Sequence, residues 1–198
     1  HGMPSFRQVL EAASAAFRDR RAEVERGAEE IVAVLQRAGE PQGGGTAPDA
    51  GTGVLDQAAR MMARQYDPAH GGFGRAPKFP QPMPLEALLR QHARTGDPEP
   101  LRMAVTTLRR MAAGGIRDHL AAGFHRYSVD ERWLVPHFEK MLYDNALLAN
   151  VYLDAYRATG EADLREVAEQ TLDYLLADMR SPDGAFYSAR DADSEGEE

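Results

Sequence analysis

The sequence predicts an all-α fold, a partial (α/α)6 toroid built from helical hairpins, with room for short β-hairpins in its loops. Three observations predict it. Apolar residues recur at helical spacing in one segment after another. Short and long connections alternate between those segments. The long connections also resemble one another. No segment shows the convincing period-two alternation of a half-buried strand; short strands fit only near 124–129 and 185–188.

Taken in order, Phe6, Val9, Leu10, Ala13 and Phe17 form a first helical stripe. Ser5 and Gln8 precede it as a capping box. Val24, Ile31, Val32 and Leu35 form a second stripe, and Arg18-Asp19-Arg20-Arg21 between them reads as a bend or as a continuous solvated face. Residues 39–53 are a Gly/Pro-rich linker with little capacity for regular structure. A helix follows over 54–66, then a loop from Asp67 to Pro82. Pro84 suits the first turn of the next helix, which Gly96 ends. Asp97-Pro98 starts another, with Asp97 as cap, and that helix runs to about Ala113. A second long loop covers 114–136, and helices are expected over 137–159 and 162–180. Ser181-Pro182-Asp183-Gly184 is a turn.

The repeat lies in the loops. Asp67-Pro68-Ala69-His70-Gly71-Gly72-Phe73, Ala122-Gly123-Phe124-His125 and Asp183-Gly184-Ala185-Phe186-Tyr187 each set a glycine shortly before an aromatic. That period suits one hairpin plus one loop, and such units bury their apolar faces only by stacking on neighbours. The loops 67–82, 114–136 and 181–198 are therefore expected to converge on a common polar pocket. A closed ring of twelve helices needs more chain than is present, so residues 54–198 are expected to form the first part of a barrel. A half-ring leaves an apolar flank exposed, and self-association is expected from it.

Composition narrows the chemistry. The chain has 198 residues, no cysteine and a net charge of −8. Disulfides, thiolate nucleophiles and cysteine-bound zinc are excluded within it. The charge argues against nucleic-acid binding. No apolar stretch is long enough to span a bilayer, and a cytoplasmic location is expected. No cofactor and no metal are called for. Asp191-Ala192-Asp193-Ser194-Glu195-Gly196 fits the start of a calcium loop only in part, with Glu where Asp or Asn belongs.

The polar and aromatic residues concentrate in one region. Asp118, His119, His125, Arg126, Tyr127, Asp130, Trp133, His137 and Glu139 fall close together, a mixture suited to a sugar site. Pro136 places His137 in a first helical turn, where the dipole disfavours imidazolium and leaves a neutral general base. The alternative is a histidine hydrogen-bonded for structural reasons. Asp130 and Glu139 are the carboxylate candidates for catalysis, Glu139 being equally readable as a first-turn acid. Asp118, His125, Arg126, Tyr127, Trp133, Asp144 and Lys78 are candidate substrate-binding residues. Tyr127 and Trp133 read as stacking platforms or as core. Asp144-Asn145, on an otherwise apolar helix, lines a polar interior or ties loops together. Lys78, in the rigid loop Arg75–Pro80, holds an anion or braces the ring.

Residues 71–80, 123–130, 133–145 and 186–196, from Gly71-Gly72-Phe73-Gly74-Arg75-Ala76-Pro77-Lys78-Phe79-Pro80 to Phe186-Tyr187-Ser188-Ala189-Arg190-Asp191, closely resemble the spermatogenesis-associated thioredoxin-like family. The resemblance covers 54–198, and Ala122 departs from it, standing where glycine is expected. It implies a thioredoxin-like domain before this chain, with residues 1–38 as the helical end of that region. It also implies a barrel similar to N-acylglucosamine 2-epimerases and six-hairpin glycosidases, hence a carbohydrate ligand. Two readings follow: an epimerase- or isomerase-like sugar enzyme, whose activity this piece alone is expected to lack, or a non-catalytic scaffold module serving the thioredoxin-like domain.

Overall fold

A computed structural model describes residues 4–39 and 51–193. They belong to two compact units, 1–49 and 50–198. Most of the expected linker, and the residues of the calcium-like stretch after Asp193, lie outside the described residues.

The first unit is a pair of helices, α1 (Phe6–Asp19) and α2 (Arg21–Gly39). The Ser5 Oγ accepts from the Gln8 amide and the Gln8 side chain accepts from the Ser5 amide, so the capping box forms. Arg20, at φ −133° and ψ 36°, breaks the helix; the basic run is a bend. The apolar stripes of both helices, including Phe6, Leu10, Phe17, Ile31 and Leu35, are exposed.

The second unit contains α3 (Gly53–Gln65), α4 (Pro82–Thr95), α5 (Pro98–Ala113), α6 (Leu142–Thr159) and α7 (Ala162–Tyr174), the last continued by a π-turn over Leu175–Met179. Gly96 and Gly160 end α4 and α6 in the left-handed conformation at φ 74° and 75°, where glycine has no Cβ to clash. Asp97 caps α5 by accepting from the Glu99 amide at 3.0 Å. α4 packs on α3, α5 and α6, and α6 on α5 and α7. Two layers result, with α4 and α6 side by side and α3, α5 and α7 behind them. Leu85, Leu88, Leu108, Met111, Leu148, Tyr152 and Leu164 fill the space between. Each such side chain contributes about 1.5–3 kcal/mol on burial. The Tyr152 hydroxyl donates to the Leu108 carbonyl at 2.7 Å, stitching α6 to α5.

The short connections after Gly96 and Gly160 lie at one end and the long loops at the other, where α4 and α6 begin. The repeat seen in the sequence is a repeat of structure. Bridges Tyr66–Phe73, Arg117–Phe124 and Arg180–Phe186 close the three loops. The Asp67 amide donates to Gly72, that of Asp118 to Gly123 and that of Ser181 to Ala185. The loops also pair with one another. β1 (Tyr127–Ser128) runs antiparallel to β2 (Pro136–His137), and β3 (Lys140–Met141) to β4 (Ala189–Arg190). The backbones of Lys78 and Ser128 exchange two hydrogen bonds of 2.8 Å. Among the described residues no helix is long and apolar enough to cross a membrane.

One expected boundary moves. Helix α6 begins at Leu142, five residues after the expected start at His137. Residues 136–141 extend to pair with β1 and β4, and those ladder bonds outweigh the helix-start signal of Pro136.

Candidate functional site

Asn145, in the first turn of α6, organises the site. Its side chain accepts from the Phe124 amide at 2.6 Å and donates to the Phe124 carbonyl at 3.0 Å. This ties the 123–126 segment to the head of the helix, with His125 and Arg126 on one side of the tie and Asp144 beside it. The Arg126 amide donates to the Glu139 carbonyl at 2.7 Å, and the Arg126 guanidinium meets the Glu139 carboxylate at 2.8 Å. Glu139 also lies 3.8 Å from His137 Nε2.

His137 is thus a strand residue opposite Tyr127, away from a helix N-terminus. The dipole argument for its basicity falls. Its ring stacks on that of Tyr127 at 4.8 Å and 12°, and Phe79 packs on Tyr127 at 5.0 Å. Tyr127 serves as the middle of this ladder. Phe138 meets His125 edge-on at 5.2 Å.

Beside the Asn145 tie, His125 and Asp144 are nine-tenths buried and lack a full set of partners. His125 is 7% exposed and its Nδ1 has no hydrogen-bond partner. Burial, reinforced by the Lys140 ammonium, pulls it down to about 4, so the imidazole is neutral. Asp144 is 8% exposed and its Oδ2 is unpartnered. Burial pushes it up to about 6, against the pull of Arg126. The Arg126 Nε is likewise buried without a partner. Buried polar atoms ordinarily find partners, and these three belong to residues next to the Asn145 tie or adjoining it in the chain.

Other candidates prove to be structural. Trp133 is fully buried, with its indole N–H donating to the His70 carbonyl at 3.0 Å; it is core and offers no face to a sugar. Lys78 is also fully buried. Its ammonium donates to Asp67 at 2.6 Å and to the Glu131 carbonyl at 3.0 Å, over the Trp133 ring, so it braces the loops. Asp130 accepts from the amides of Arg132, Leu134 and Val135. Burial opposes its ionisation, but those bonds prevail and hold it below the usual carboxylate range. Both its oxygens serve the turn. Asp118 repeats the part of Asp67: it accepts from the Leu120 and Ala121 amides and pairs with Lys140 at 2.7 Å.

The loops converge, yet they border separate cavities. One of about 350 Å³ lies between Arg117–Ala122 and α7, lined by Asp118, His119, Gln170 and Tyr174. One of about 490 Å³ lies between residues 64–75 and Glu131. His137, Glu139 and Asp144 line neither.

Sequence reasoning missed Lys140, Phe79 and Phe138. Lys140 was detectable only as the counterpart of Lys78, and the Asp-to-Lys separations differ, 22 residues against 11.

The helical layers, the long loops gathered at the heads of α4 and α6, and the polar cluster there define an (α/α)6-toroid protein of the sugar-epimerase fold class. The structure superposes on cellobiose 2-epimerase from Spirochaeta thermophila with a TM-score of 0.58 at 22% identity, over 73% of this chain and 42% of that one. It matches cellobiose 2-epimerase from Bacillus thermoamylovorans with a TM-score of 0.62 at 16% identity, over 74% and 42%. At those identities the likeness establishes the fold. In sequence, the chain is 46% identical over 151 residues to spermatogenesis-associated protein 20 of Homo sapiens, covering 74% of this chain and 19% of that protein. An uncharacterised Caenorhabditis elegans protein is 42% identical over 135 residues. The chain thus spans about a fifth of the length of the curated relatives it matches. No family model matches it.

Proposed function

We propose that this chain belongs with the spermatogenesis-associated thioredoxin-like proteins and supplies one wall of a sugar-binding, epimerase- or isomerase-like site. The carrying observation is the trio of buried, unpartnered atoms, His125 Nδ1, Asp144 Oδ2 and Arg126 Nε, at the head of α6. A sugar hydroxyl both donates and accepts, so a polyol suits such a mixed set. The Phe79–Tyr127–His137 ladder and the exposed Phe138 ring give the apolar face that a pyranose stacks upon. The fold, shared with two cellobiose 2-epimerases, supports the same reading.

Epimerisation next to a carbonyl removes a proton from one face of a carbon and returns one to the other. In this reading His137 takes the proton. Glu139, within 3.8 Å of its Nε2, orients the imidazole and stabilises the imidazolium. Asp144, pushed up to about 6 by burial, is able to hold a proton near neutrality and is the candidate donor. Asp130 has no part.

The test is a thermal-shift panel of mono- and disaccharides with the full chain. Saturable stabilisation by one sugar class, lost in Asp144→Asn without loss of helical circular dichroism, is the expected result. No shift with any sugar rejects the reading and favours the scaffold module.

A further inference from the structure

We propose that Glu139 is a specificity residue that turns the site against anionic sugars by neutralising Arg126. The inference deepens the sugar-binding reading and rests on it.

Three basic side chains stand around the site, and each already faces a carboxylate. Lys78 meets Asp67 at 2.6 Å, Lys140 meets Asp118 at 2.7 Å and Arg126 meets Glu139 at 2.8 Å. The two lysine side chains are 0% and 6% exposed, so a ligand has no access to their charge. Arg126 differs, its side chain being 41% exposed. It is the cation of the three that a sugar phosphate or a uronate can reach.

The guanidinium is not available to them. The Glu139 carboxylate is only 19% exposed, and its backbone is held by the bond from the Arg126 amide. The acid therefore stays with its partner when a ligand arrives. Asp144 lies within electrostatic reach of the same guanidinium and of Glu139. Two carboxylates thus act on one guanidinium, and a further anion brought there meets net negative charge, a like-charge juxtaposition that disfavours it. An uncharged sugar meets no such barrier. An isosteric amide at position 139 removes the charge, keeps the shape and frees Arg126 for an acid.

Calorimetric titration of the full chain with cellobiose, glucose, glucose 6-phosphate and glucuronate tests this. The parent protein is expected to bind a neutral sugar about tenfold or more tighter than either anion. In Glu139→Gln the affinity for glucuronate or glucose 6-phosphate, taken relative to that for the neutral sugar, is expected to rise about tenfold. Adding Arg126→Gln to that variant is expected to abolish the gain, and Glu139→Ala to reproduce it should the glutamine be misplaced. Anions binding the parent as well as the neutral sugars overturn the proposal, as does an unchanged preference in a folded Glu139→Gln protein. If none of the four sugars binds the parent, it is the sugar-binding reading that fails, and the role of Glu139 falls with it.

Discussion

The side-chain amide of Asn145 satisfies both backbone polar groups of Phe124, at 2.6 Å and 3.0 Å. Phe124 lies buried against Tyr152, with ring centroids 5.5 Å apart. One amide therefore joins a loop to a helix inside the core, where water does not replace it.

Replacing Asn145 by Ala leaves the Phe124 amide and carbonyl buried without partners. Each such loss costs about 1–3 kcal/mol, so we expect Asn145→Ala to lower unfolding stability by about 2–4 kcal/mol. Asn145→Asp keeps the acceptor, loses the donor and sets a carboxylate against a carbonyl, and is expected to be no better. Urea unfolding measures both; a change below about 1 kcal/mol contradicts the tie.

The Lys140–Asp118 pair gives a second expectation. Lys140 is 5% exposed, stands over the Tyr174 ring at 4.4 Å and also donates to the Ala122 carbonyl. Lys140→Met strands a partly buried carboxylate and is expected to cost about 3 kcal/mol, the low end for a broken buried pair, because Asp118 keeps some solvent contact. The double variant Lys140→Met, Asp118→Asn is expected to recover part of that loss. Strict additivity in a double-mutant cycle is the contrary outcome.

Two neighbouring positions both favour glycine. Ala122 holds φ 61°, a left-handed conformation costing an L-residue roughly 1–2 kcal/mol. Ala122→Gly is expected to stabilise the protein by up to about 1 kcal/mol, less the glycine's greater unfolded-state entropy. Gly123 holds φ 76°, and an added Cβ there sits 2.5 Å from Tyr174 Cδ1. Gly123→Ala combines backbone strain with overpacking and is expected to cost more than about 2 kcal/mol. Thermal unfolding of the two variants checks the opposite signs.

The pH dependence of stability has three parts. His125 is pulled from 6.5 to about 4. The unfolded chain takes up that proton first, so stability falls as pH drops from 6.5 to 4. Asp144 is raised from 3.8 to about 6. Here the folded state binds the proton first, and stability rises as pH drops from 6 to 3.8. Asp67 is lowered to about 2: burial opposes this, and the bonds from Lys78 and two backbone amides outweigh it. Its contribution is present above 3.8 and lost as pH falls toward 2; Asp118 behaves in the same direction for the same reason. The expected profile is shallow from pH 6 to 4, where the first two offset each other, and steep below. In Asp144→Asn the His125 decline is uncovered. Urea midpoints across that range decide it, and a variant as flat as the parent contradicts the assignment.

The sequence by itself determined the helices, the order of long and short connections and the loop repeat. Those follow from local rules: apolar spacing, the Ser5 and Asp97 caps, the Gly96 and Gly160 stops and the glycine-aromatic turns. It also located the polar cluster, because charged and aromatic residues crowd one stretch of chain. What each residue does there was decided by tertiary structure. His137 left the expected helix because strands elsewhere in the chain, Tyr127–Ser128 on one side and Ala189–Arg190 on the other, pair with residues 136–141. Such bonds leave no periodic mark. Burial sent Trp133 and Lys78 to structural duty, backbone amides engaged Asp130, and His125, Arg126 and Asp144 were left with polar atoms unspent. A lone residue carries no record of which atoms its neighbours will occupy, and that pairing exists only once the loops have closed on α6.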